Sequence, residues 1–178
     1  MANIIFSWLR AGTKWGLRRK LAAWHLNRFR HNSTVYYHGT TSDFGVHIRA
    51  NGINLTHGRP NLDFGQGFYL TTSRSHAVAR AYQMVKRFGG TEEILTFRVS
   101  NKKLSKLRGI RFFEPNDAWR RFVIGNRTGT LGPHGYDYVS GPVLRNLKAG
   151  NAWPFPNLNQ ISLHSEAAAK LFYGGLRL

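Results

Sequence analysis

The sequence predicts a single α+β domain behind a basic, helix-forming extension, and three observations carry that expectation. Strand-like and helix-like segments alternate from residue 35 onward, with no internal repeat and no low-complexity tract. The 178 residues are 42% apolar and 13% aromatic, enough to build a core and too hydrophobic for a disordered basic tail. Helical stretches are bracketed by capping residues, Ser or Asn before them and Gly after.

Residues 1–34 come first. Ile4, Ile5, Phe6, Trp8 and Leu9 open the chain, and Trp15, Leu17, Leu21, Trp24, Leu26 and Phe29 recur at three- and four-residue steps among Arg18, Arg19, Lys20, Arg28 and Arg30. That spacing predicts a basic amphipathic helix, or two broken between residues 12 and 16. Three roles stay open for it: packing on the domain, contact with a polyanion or lipid surface, and organelle targeting. The domain proper is expected over residues 35–178. Residues 35–37 predict a short strand, and 42–50 a helix closed by Asn51 and Gly52. Residues 67–72 predict a strand, followed by a helix from Ser73 to about Phe88 that Gly89 and Gly90 end. Residues 94–99 alternate as a strand, and 101–112 read as basic and irregular. Pro115 suits the start of a helix over 116–124, which Gly125 is expected to stop. Residues 136–139 predict a strand, Gly141-Pro142 a turn, and 149–156 a loop. Residues 160–164 predict a strand, and Ser165 caps a last helix running to Phe172.

The charge is the strongest compositional signal. Lys and Arg number 26 against 8 Asp and Glu, a formal net charge of +18. Only 19% of residues are charged, below the usual ~25%, so the imbalance comes from missing acids. Residues 1–34 carry +7, with Asp43 the first acid, and residues 101–178 carry +8. Such a field attracts phosphate backbones or anionic membranes. The absence of cysteine excludes disulfides, Cys-ligated zinc, iron–sulfur clusters and thiol nucleophiles. No apolar run approaches the roughly 18 residues of a membrane span.

Individual motifs are weak. His38-Gly39-Thr40 is a common pattern beside a strand. Asp63-Phe64-Gly65-Gln66-Gly67 could be a glycine-rich turn or a phosphate cradle, but it lacks the Gly-Lys-Ser/Thr ending of a P-loop. No two histidines share a helix face at metal-binding spacing, and no paired carboxylates suggest glycosidase chemistry.

Taken in order, the motifs say more. Tyr37-His38-Gly39-Thr40, then Gly65-Gln66-Gly67-Phe68-Tyr69-Leu70-Thr71, then Asn159-Gln160-Ile161-Ser162-Leu163 resemble the three-part signature of the ADP-ribosyltransferase fold. The match is to the branch of poly-ADP-ribose polymerases and diphtheria toxin, and within it to a poorly characterised bacterial and phage family. Tyr136-Asp137-Tyr138-Val139-Ser140-Gly141-Pro142 is similar to a further segment of that family. The resemblance spans about residues 35–174. It implies a split, mixed β core with flanking helices and an enzyme that uses NAD+ as co-substrate with no metal. It implies catalytic roles for His38, Tyr69 and Gln160, with NAD+ held by His38, Gly39, Thr40, Tyr69 and Tyr82. Tyr69 and Tyr82 would sandwich the nicotinamide ring, the Gly39 peptide would pair with its carboxamide beside the Thr40 hydroxyl, and His38 would bond the adenosine ribose.

One position departs from the pattern. Polymerase-type members begin the final strand with Glu, and this chain has Gln160 there. An amide can orient a ribose hydroxyl but cannot stabilise a cation as a carboxylate does. The departure argues for transfer of a single unit rather than chain formation. Asp63, Glu114, Asp137 and Glu166 are the acids that could supply a missing charge.

The acceptor is expected from the charge. Lys102, Lys103, Lys106 and Arg108, with Arg120, Arg121 and Arg127 after them, interleave with Phe112, Phe113 and Trp119. With Arg18, Arg19 and Lys20, they suggest an RNA or DNA acceptor, phosphates on the cations and bases on the rings. The expectation is a toxin or effector acting in the cytoplasm, its own or that of a cell it is delivered into, with an immunity or antitoxin protein as a further partner. A protein acceptor, and an inactive nucleic-acid-binding module on the same fold, are the alternatives.

Overall fold

A computed structural model describes residues 32–148 and 151–177. It is an α+β fold of seven strands and, among the described residues, five helices. The first 31 residues, with Arg18, Arg19 and Lys20, lie outside the described residues, and so does the helix expected there.

Strand β1 runs Ser33–Thr41, longer than residues 35–37, so His38, Gly39 and Thr40 belong to the strand itself. Its β-branched and aromatic run, Thr34 to Tyr37, favours extended backbone. Thr41 then caps helix α1 (Ser42–Asn51), which ends at Gly52 with φ +85°. β2 (Phe68–Thr71) follows a glycine-rich loop. Ser73 caps α2 (Arg74–Phe88), which Gly89 ends at φ +78°. β3 (Glu92–Ser100) buries Leu95, Phe97 and Val99 on one face, the two-residue period of a strand.

Four expectations are corrected beyond this point. Residues 101–112 are not irregular: they form one helical turn, α3 (Asn101–Leu104), capped by Ser100, and β4 (Gly109–Arg111). Helix α4 (Asp117–Thr128) runs through Gly125 and stops at Gly129, whose φ is +73°. Gly125 is there for packing, since a Cβ would lie 2.9 Å from the Leu131 Cβ. Gly141-Pro142 is no turn, and residues 151–156 are no loop. β5 (Tyr138–Lys148) and β6 (Asn151–Leu163) are long antiparallel partners. The prolines fit because the register shifts between Pro142 and Leu144, and again between Leu144 and Asn146. Ser165 caps α5 (Glu166–Tyr173), and β7 (Leu176–Arg177) closes the chain.

The sheet order is β4-β5-β6-β2-β1-β3-β7. Only β4 and β5 run parallel. β1 pairs with β3 over nine residues but with β2 only at Tyr37↔Thr71, so a seam runs between β1 and β2. One apolar cluster, containing Phe68, Leu70, Leu95, Phe97, Ile161, Leu163 and Phe172, lies beneath strands of both halves. A second, around Phe64, Trp119, Val123 and Val139, packs α4 and the glycine-rich loop over β5 and β6. Removing the fully buried Trp119 side chain would cost about 3–5 kcal/mol.

Candidate functional site

The seam leaves the buried Gly39 without a strand partner on its β2 side. At one end of the β1–β3 ladder Asn101 N donates to Asn32 O at 2.8 Å, and at the other Ser42 N donates to Thr91 O at 2.9 Å. Both fall on even-numbered residues of the β1 side, so even-numbered β1 residues exchange their backbone bonds with β3. Odd-numbered residues turn N–H and C=O toward β2. Tyr37 meets Thr71 there, and the ladder is not continued to Gly39 and Tyr69. Among the described residues no strand pairs with Gly39 on that side. Its other requirement is steric: a Cβ would stand 1.8 Å from the Ala77 carbonyl oxygen and 2.8 Å from Ala81 N. Ala77 and Ala81, one helical turn apart on α2, are both buried against it.

His38 crosses the seam in place of the missing ladder. Its Nδ1 is 2.7 Å from the Tyr69 carbonyl, and a carbonyl only accepts, so Nδ1 carries the hydrogen. The ring stacks on Phe68 with centroids 4.2 Å apart. Burial holds its pKa down to about 4, outweighing that hydrogen bond, and the nearby Arg80 guanidinium acts in the same direction. At neutral pH the ring is therefore uncharged, with Nε2 an acceptor.

Tyr69 is fixed by the glycine-rich loop. Its hydroxyl donates to the Gly65 carbonyl at 2.8 Å and accepts from Phe64 N at 2.9 Å. Burial pushes that hydroxyl well above the usual phenol range, so it stays protonated. Gly65 at φ +84° makes the turn, and a Cβ on it would sit 2.9 Å from Asn126 Oδ1. The loop is thus a clamp on Tyr69.

The loop also buries Asp63, 3% exposed. Its Oδ1 accepts from Arg127 Nε at 2.8 Å and Nη2 at 2.5 Å. Its Oδ2 accepts from Leu144 N at 2.9 Å and from Gln160 Nε2 at 2.6 Å. Of the four acids considered from the sequence, this one joins the site. Asp137 accepts from Arg108 N, Glu166 makes an exposed pair with Lys170, and Glu114 is on the surface. Gln160 pairs with Thr71 in the sheet, and Tyr69 lies two residues before Thr71, so Tyr69 and Gln160 share one face. His38 projects to the other and reaches the site through the seam.

Other expected residues fare differently. Thr40 is buried beside Gly39, 1% exposed. Tyr82, on α2 next to the buried Ala81, is half exposed, with Lys86 Nζ 4.5 Å from its ring centroid. Lys102, Lys103, Lys106 and Arg108 are exposed on and after α3, away from the seam. Arg120 and Arg121 ride on α4, the helix that carries Arg127 into the site, and Arg120 also pairs with Asp117 at 3.0 Å. Trp119 and Phe112 are core residues rather than stacking platforms, and the Trp119 indole donates to the Pro142 carbonyl. Arg127 belongs to Asp63 and not to a basic surface. Sequence reasoning missed Trp153, 56% exposed, which with Arg120, Asn151 and Ala152 lines a hollow of about 210 Å³. It sits in the segment read as a loop; strand alternation of Trp153 and Phe155 was the available signal. Among the described residues no group of three or more His, Asp or Glu could hold a metal ion, and no helix is long and apolar enough to cross a membrane.

No curated protein matches the chain. A family model described as "Protein of unknown function (DUF3990)" matches residues 34–147. That span runs from β1 into β5 and contains His38, Gly39, Asp63, Tyr69 and Arg127, while Gln160 falls after it. With the match covering more than half of its 178 residues, the chain belongs to this DUF3990 family.

Proposed function

We propose that this protein is a mono-ADP-ribosyltransferase that uses NAD+ and modifies a nucleic acid. The observation that carries the reading is the seam: an unpaired Gly39 peptide flanked by a neutral His38, a clamped Tyr69 and an amide at Gln160. A peptide that no strand pairs with is a donor–acceptor pair of the kind a primary carboxamide needs. The Gly39 Cβ position is filled by α2, so no side chain can intrude there.

NAD+ supplies the ribose C1′–nicotinamide bond that breaks. Nicotinamide leaves, the acceptor nucleophile bonds to C1′, and the acceptor's proton passes to solvent. The chain's residues hold and orient. Gly39 would take the carboxamide, and Tyr69 would offer its ring, locked by two hydrogen bonds, as a stacking face. His38 Nε2, an acceptor near neutral pH, would receive a ribose hydroxyl, and Gln160 would receive another. Preorganised dipoles of this sort stabilise charge developing at the ribose without reorganising.

A nucleic-acid acceptor is favoured by the Trp153–Arg120 hollow. An exposed indole beside a guanidinium suits a stacked base and its phosphate, and the net charge of +18 adds attraction from a distance. The test is incubation with labelled NAD+ and a cell lysate, split into nuclease-treated and protease-treated halves. Label lost only to nuclease is expected, and His38→Ala or Tyr69→Ala should abolish it along with nicotinamide release. Label lost only to protease would transfer the reading to a protein acceptor. If the protein neither releases nicotinamide nor labels anything, the reading is wrong and an inactive binding module takes its place.

A further inference from the structure

We infer that Asp63 is the positioning residue of the site: it turns the Gln160 carbonyl toward the cleft, and its buried charge is the reason residue 160 is an amide. The inference rests on the ADP-ribosyltransferase reading for its catalytic consequence, but its geometry stands apart from that reading.

The Asp63 carboxylate can only accept hydrogen bonds when ionised, so the Gln160 atom 2.6 Å from Oδ2 must be Nε2. With Nε2 committed, Oε1 is the group left to accept from a substrate hydroxyl. Asp63 cannot turn to any other partner, because all of its contacts are taken up. Arg127 holds Oδ1 through two nitrogens, and Leu144 N shares Oδ2. Leu144 sits between two register shifts of β5, so the strand is locally reshaped where its N–H meets the acid. The amide is thus held by three chain segments: the glycine-rich loop, the end of α4 and the β5 irregularity.

A carboxylate at position 160 would meet Asp63 at the same 2.6 Å, and two carboxylates that close share a proton rather than ionise together. Restoring the Glu of the polymerase-type pattern should therefore harm this protein instead of improving it. Asp63→Asn should also harm it, by a different route. The introduced amide keeps its oxygen on Arg127 and offers an N–H where Oδ2 was, so Leu144 N loses its acceptor and Gln160 must flip, presenting its own NH₂ to the site. Combining the two changes re-pairs donor with acceptor and returns an acceptor oxygen to the cleft.

The test is a double-mutant cycle on the full chain with wild type, Gln160→Glu, Asp63→Asn and the double variant. Two readouts are taken: steady-state nicotinamide release and thermal midpoint. Each single variant is expected to lose kcat by about tenfold or more, with KM for NAD+ held within about threefold. The double variant should recover at least about tenfold over Asp63→Asn. In melts, Gln160→Glu should fall by roughly 5 °C at pH 8 and regain most of it at pH 5, where one proton bridges the pair. The double variant should melt above the sum of the single losses. A gain of kcat in Gln160→Glu, or additive losses in both readouts, would overturn the inference. If wild type releases no nicotinamide, the enzyme reading fails on its own, and the melting cycle still decides the pairing: additive melting losses would sink it.

Discussion

Acidification should weaken this fold through its buried histidines, and the size of the effect can be worked out. His38 and His164 each have a pKa lowered from 6.5 to about 4, chiefly by burial. His164 also feels the neighbouring His134, and its Nδ1 is held by the Gln66 carbonyl at 2.8 Å. Because the folded values lie below the unfolded ones, the unfolded chain takes up protons first. Stability is full above about pH 6.5 and is lost as the pH falls toward 4. At pH 5 each ring costs about 2 kcal/mol, so the pair costs about 4 kcal/mol against a typical total of about 5–15 kcal/mol. His76, buried beside Arg80, shifts in the same direction. For a chain of this size the thermal midpoint should drop by roughly 10 °C between pH 7.5 and pH 5. Thermal melts of wild type, His38→Gln and His164→Gln across this range are the assay. Each variant should lose about half of the pH dependence. A wild-type midpoint that does not move, or single variants that each keep the full slope, would refute the burial argument.

Three further outcomes follow from the geometry. Gly39→Ala drives a methyl into the backbone of α2 at Ala77, which cannot yield as a side chain would, so a urea titration should show a loss of about 3 kcal/mol or more. Tyr69→Phe keeps the ring but strands Phe64 N–H and the Gly65 carbonyl; about 1–3 kcal/mol should go, with nicotinamide release reduced less than in Tyr69→Ala. Trp153→Ala removes an exposed ring and should leave the melting midpoint and nicotinamide release alone while weakening single-stranded RNA binding by about 1–3 kcal/mol in a salt titration.

Much of the frame was legible because its signals are local. Caps at Ser73 and Ser165, the alternation of β3 and the glycines after α1 and α2 are each decided within a few residues. The errors came where distant contacts outweigh local preference. Gly125 reads as a stop, but Leu131 needs the space it leaves, so the helix continues. Pro142 and Pro154 read as breakers, but irregular pairing lets β5 and β6 absorb them. In the site, His38, Gly39 and Tyr69 were found by pattern and do meet across the seam. Asp63 could be named as a candidate but not placed, because 97 positions separate it from Gln160 and only the folded sheet joins them.

The apolar cluster beneath the seam has a mechanical consequence. Phe68 and Leu70 on β2 interlock there with Leu95 and Phe97 on β3, passing under the gap that β1 leaves. Close-packed interiors resist separation. The half-sheets are thus bolted together from below where β1 and β2 pair at a single point, so the seam cannot widen without opening the core.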